Sequence, residues 1–151
     1  MGHKKAVLDL AWNNLNRNIL ASCSADKSVI LWDLEQLKQA TKIRDNSEKV
    51  QSIKFHPIES FSLLSGSSDK TVTLYDCRNP KSNKKVWTLN GETEQVLWNQ
   101  YEPNNFLVIL LALDFVKRCL FDFVFSFFNS VVMVMVMFIC LIYVKQNHFS
   151  H

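Results

Sequence analysis

The residues of this chain able to do covalent or metal chemistry are Cys23, Cys77, Cys119 and Cys140, with His3 and His56 ahead of the apolar C-terminal stretch. Thiolates and imidazoles hold zinc when they recur at short, fixed spacings such as C-x-x-C. No two of these cysteines are so spaced and neither histidine lies at ligand spacing from one, so no metal, cofactor or catalytic residue is expected. The whole chain has three glycines, too little material for a phosphate-cradling loop, and no nucleophile elbow is written anywhere. His56 precedes Pro57 and reads as a turn residue. Lys81, Lys84 and Lys85 cluster in NPKSNKK, whose Pro/Asn/Ser composition reads as a solvated loop. Residues 1–105 carry 14 Lys/Arg against 12 Asp/Glu, so no basic face for nucleic acid is expected. The opening MGHKKAVLDL has no apolar signal core, and Ala6 stands where myristoylation needs a hydroxyl; neither secretion nor lipidation is expected, and the thiols should stay reduced.

The elements that position these residues are repeated. SADKSVILWD at 24–33 returns 43 residues later as SSDKTVTLYD at 67–76, with six of ten letters kept. The same offset carries Val7, Leu10 and Trp12 onto Val50, Ile53 and Phe55, and a second step carries Ile53 and Phe55 onto Val96 and Trp98. Within each copy, short runs of alternating β-formers are separated by polar turns: VLDLAW, ILASCS, SVILWD and KQATKIR, then VQSIKF, FSLLSG, TVTLYD and KKVWTLN. Four strands every 40 to 45 residues or so is the period of a propeller blade. The expectation is an all-β fold: two four-stranded blades over 3–44 and 46–90, and the start of a third over 93–108, together making a partial propeller over 1–108.

Gly2-His3, the strand ending at Trp12, the Ser22 to Asp26 turn and Trp32-Asp33 resemble one full repeat of the WD40 family. The resemblance implies that His3, Ser22, Asp26 and Trp32 form a hydrogen-bonded tetrad tying the strands of a blade together. A buried imidazole needs a carboxylate to fix its tautomer, and a buried indole N–H needs an acceptor. The second repeat departs from the pattern: Asn46 stands at the His position and Tyr75 at the Trp position, leaving Ser65 and Asp69 as a partial second tetrad. Trp32→Ala is therefore expected to damage the fold more than Tyr75→Ala. The stretches VLDLAWN, SGSSDKTVTLYDCRNP and GETEQVLWN are similar to the periodic tryptophan family within the WD40 proteins. That similarity implies a non-enzymatic protein-interaction scaffold linked to ribosome biogenesis, rRNA processing and chromatin, located in the nucleus and nucleolus, with protein partners.

Propellers close at four to eight blades, and fewer blades leave apolar flanks uncovered. The chain is thus expected to be a truncated form that attracts chaperones. Residues 109–151 depart from the repeat, and Phe123–Val144, 22 residues without a charge, would extend about 33 Å as a helix, enough to span a bilayer. A helical tail of this kind gives an alternative, a tail-anchored adaptor whose membrane-bound body faces the cytosol. The run VVMVMVM and the absence of a linker point first to translation reading through a retained intron.

Overall fold

A computed structural model describes residues 2–111 and the backbone of Ile139–Lys145. All regular structure among them is strand. The first sheet is β1 (Val7–Trp12), β2 (Ile19–Ser24), β3 (Val29–Asp33) and β4 (Lys38–Ile43), in that order and antiparallel throughout. The second repeats it with β5 (Val50–Phe55), β6 (Ser62–Ser67), β7 (Thr71–Asp76) and β8 (Lys84–Thr88).

The 43-residue offset extends to backbone detail. Leu10 pairs with Ser22 as Ile53 does with Ser65, and the register shifts at Val7/Asp9 and again at Val50/Ser52. Lys27 and Lys70 both adopt φ of 66°. Each closes a tight β2–β3 or β6–β7 turn in which one residue must enter the left-handed region to match strand twist. The Asp before it holds the turn: Asp26 accepts the Ser28 amide at 3.2 Å, and Asp69 the Thr71 amide at 3.1 Å.

The third sheet holds β9 (Glu92–Trp98), β10 (Asn105–Leu111) and β11 (Ile139–Lys145) in the order β11-β10-β9. β10 runs on to Leu111, past the repeat boundary at 108, and β11 pairs along it from Asn105↔Lys145 to Leu111↔Ile139. Helix was the expectation for the tail, but Ile139–Lys145 is strand. Its β-branched and aromatic residues favour the pleated backbone, and the edge of β10 offers it hydrogen-bond partners. The rest of the Phe123–Val144 span, residues 123–138, lies outside the described residues.

Apolar residues fill the two spaces between sheets. Ala11, Ala21, Cys23, Val29, Leu31 and Ile43 of the first sheet pack on Val50, Ile53, Phe55, Leu63 and Tyr75 of the second. Leu64, Val72 and Leu74 on the opposite face of the second pack on Val96, Phe106, Val108 and Leu110 of the third. Gly66 of β6 faces Thr93 and Val96 of β9 at close range. A Cβ there would lie 2.3 Å from Cγ2 of Thr93 and 2.9 Å from Cγ1 of Val96.

Candidate functional site

In the first sheet, β2, β3 and the turn between them bring Ser22, Trp32 and Asp26 around the imidazole of His3. The Trp32 indole N–H donates to Ser22 Oγ at 2.8 Å, Ser22 Oγ lies 2.7 Å from His3 Nε2, and His3 Nδ1 lies 3.1 Å from Asp26 Oδ1. A carboxylate can only accept, so Nδ1 carries the proton and Nε2 receives the serine hydroxyl. The donors all point one way, from indole to hydroxyl to imidazole to carboxylate. Asp26 further accepts the Lys4 amide at 2.9 Å, the Lys42 ammonium at 3.2 Å and the Ser28 hydroxyl. Burial by itself would raise the Asp26 carboxyl, but these donors outweigh it and hold the group well below the usual carboxylate range.

The second sheet places the corresponding residues differently. Asp69 accepts the Ser47 amide at 2.9 Å and the Thr71 hydroxyl, and its carboxyl is likewise held low by donors that outweigh burial. Ser65 Oγ donates to the Thr73 carbonyl at 3.4 Å instead of joining a side-chain line. Tyr75 is 1% exposed, and its hydroxyl, with Ser65, Thr73 and Asn46 nearby, is in hydrogen-bond geometry with none of them. The Asn46 amide nitrogen is also buried without a partner. Asn is too short to reach as His3 does, and a phenol occupies a different place from an indole N–H.

Two polar devices were missed in the sequence. Asp9 reaches into the second sheet, accepting Ser52 Oγ at 3.0 Å, the Ile53 amide at 3.1 Å and the Lys54 ammonium at 2.9 Å. The other device recurs at the repeat offset. Asn13 Oδ1 caps its own turn by accepting the Leu15 and Asn16 amides, while its Nδ2 donates to the Ser60 carbonyl at 2.7 Å. Forty-three residues on, His56 Nδ1 accepts the Ile58 and Glu59 amides and Nε2 donates to the Pro103 carbonyl at 2.9 Å. His56 is indeed in a turn, and it also fastens the second sheet to the third, with its ring edge-on to Trp98 at 4.4 Å. Burial pushes its pKa down, against the pull of Glu59 and the Pro103 carbonyl. Asn13 and His56 at one repeat position were the signal for this device.

Among the described residues neither Cys23 nor Cys77 is set up as a nucleophile. Cys23 and Cys77 are pushed up to about 12 by burial, with the nearby carboxylates of Asp9 and Asp76 adding to it, and so stay protonated and weakly nucleophilic. Among the described residues no cluster of His, Cys, Asp and Glu could hold a metal ion. At the end of the second sheet away from the β6–β7 turn, Arg78 forks onto Asp76, with contacts of 2.6 and 3.0 Å, and lies 4.9 Å from the Phe61 ring. Phe61 and Ile58 are 46% and 66% exposed there, giving a mixed apolar and cationic surface of the kind that protein partners use.

Residues 1–33 and 37–76 match the family described as WD domain, G-beta repeat. The chain is 44% identical over 110 residues to the Periodic tryptophan protein 1 homolog of Drosophila melanogaster, covering 71% of this chain and 24% of that protein. It is 31% identical over 77 residues to the WD-40 repeat-containing protein MSI3 of Arabidopsis thaliana, covering 51% of this chain and 18% of that protein. The chain thus spans about a quarter or less of the length of these relatives. Two matched repeats, each folded as a four-stranded antiparallel sheet at the same offset, place this chain in the WD40-repeat family.

Proposed function

We propose that the chain is a non-enzymatic protein-interaction scaffold serving ribosome biogenesis and rRNA processing in the nucleolus, with chromatin-associated proteins among its partners. The 44% identity to a periodic tryptophan protein homolog carries this reading. The use of the His3, Ser22, Asp26 and Trp32 side chains within one sheet supports it, because a tetrad so engaged stabilises a blade and leaves recognition to surfaces such as Ile58, Phe61 and Arg78. Domain limits of 1–108 for the propeller part and 109–151 for the tail belong to the same proposal, with β11 lending the third blade an edge strand. Exposed apolar flanks give chaperones a second claim on the chain. The tail-anchored alternative gains nothing from the fold: no helix among the described residues is long and apolar enough to cross a membrane.

The test is affinity capture of the tagged 151-residue chain from nuclear extract, beside the same chain with Arg78→Glu and Phe61→Ser. Ribosome-assembly proteins that survive a salt wash and are lost in the double variant are the expected result. Recovery of chaperones alone would remove the scaffold reading for these residues.

A further inference from the structure

Three positions 43 residues apart meet different surroundings. Val50 and Ile53 are fully buried and Phe55 nearly so, as is Val96 one repeat on, whereas their counterparts Val7, Leu10 and Trp12 in blade one are 49%, 56% and 51% exposed. Val7 and Leu10, with Leu20, Trp32 and Leu37, line an apolar groove of about 540 Å³. In blade two the equivalent face is covered by Ala11, Ala21 and Cys23 of the blade before it. Two repeat steps beyond those residues stand Leu97, Leu107 and Ile109, half-buried on the far face of the third sheet. The polar fastenings show the same gap. Asn13 and His56 each donate to a carbonyl 47 residues on, while Asn99, which accepts the Tyr101 and Glu102 amides, has no such carbonyl among the described residues.

We infer that a second copy of this chain fills the groove, head to tail. Leu97, Leu107 and Ile109 of one copy pack on Val7, Leu10 and Trp12 of the other, and Asn99 donates to the carbonyl of Arg17, the repeat counterpart of Ser60. The two open faces are complementary because they are the two halves of an interface that the chain already builds twice within itself. A twofold axis relating two such contacts closes a ring of six sheets, inside the four to eight that closed rings contain; three copies give nine, outside it. This assembly does not depend on which proteins the scaffold binds.

Sedimentation equilibrium of the full chain is expected to give twice the 17.5 kDa monomer mass. Leu10→Asp should halve that mass with unchanged far-ultraviolet circular dichroism, because Leu10 is solvent-exposed within one copy. Leu107→Asp should do the same from the other face, and mixing the two variants, each with one intact face, should restore a dimer held by one contact. A symmetric pairing through the Val7 faces would instead leave Leu107→Asp dimeric, and that result overturns the proposal. So does a monomer at every concentration, which with an alkylation-resistant Leu10→Cys thiol would put another part of this chain in the groove. A ladder of larger assemblies, meaning that the rotation does not close, overturns it as well.

Discussion

Blade one and blade two share a backbone register yet are stabilised by different means. In blade one the line from Trp32 to Asp26 satisfies every member, but Trp32 lies on the open groove and is only partly buried. In blade two the line is broken at Asn46 and Tyr75, but Tyr75 is enclosed between two sheets. Polar order and apolar burial have therefore separated into different copies of one repeat. Burial of a large aromatic is worth more than one neutral hydrogen bond, so the ranking expected from tetrad completeness alone is reversed.

The sharpest way to break this comparison is to truncate both aromatics. Tyr75→Ala is expected to cost about 3–5 kcal/mol, and Trp32→Ala less, because solvent already reaches Trp32. Equal midpoints in urea titrations of the two variants would refute the burial argument. Next in size is Gly66→Ala, at about 1–3 kcal/mol, because Thr93 and Val96 must move to admit a methyl group. Cys23 takes the place of Gly66 in blade one and is already accommodated, so Cys23→Ala should be milder in the same titration.

Removing only the polar atoms sharpens the contrast. Tyr75→Phe deletes a buried hydroxyl that has no partner and should leave stability unchanged or raise it by about 1 kcal/mol; His3→Phe strands Asp26 and Ser22 and should cost roughly 1–3 kcal/mol. A thermal midpoint that falls on Tyr75→Phe would show that the phenol is satisfied after all.

The smallest effect is in pH. The folded-state pKa of His56 lies below its ordinary value, so the unfolded chain takes up the proton first and stability declines as pH falls below about 6.5. A second decline follows below about 4, where the depressed carboxyls of Asp9, Asp26, Asp69 and Asp76 begin to protonate in the unfolded chain. His56→Asn, which restores the residue that blade one uses at Asn13, should remove the first decline and keep the second in denaturant titrations across about pH 2 to 8. Retention of the upper decline in that variant would assign it to another group.

The recurrence of strand and turn residues by itself determined the all-β class and the four-strand period, while the grouping of His3, Ser22, Asp26 and Trp32 followed from the resemblance to a WD40 repeat. Alternation and turn chemistry act within a few residues, and a repeat makes each copy a check on the other. The left-handed Lys27 and Lys70 were legible as turns for the same reason, although nothing local announced their sign of φ. What lay beyond the sequence depends on neighbours distant along the chain. Whether Trp32 or Tyr75 is enclosed is decided by which sheet stands opposite, and the same apolar pattern at Leu10 and Ile53 gives an exposed face in one place and a core in the other. Asp9 and His56 looked like single polar residues because their partners, Ile53 and Pro103, are brought up only when sheets stack. The edge of β10 likewise drew Ile139–Lys145 into a strand where hydropathy alone favoured a helix, since an open row of backbone donors and acceptors outweighs a local preference.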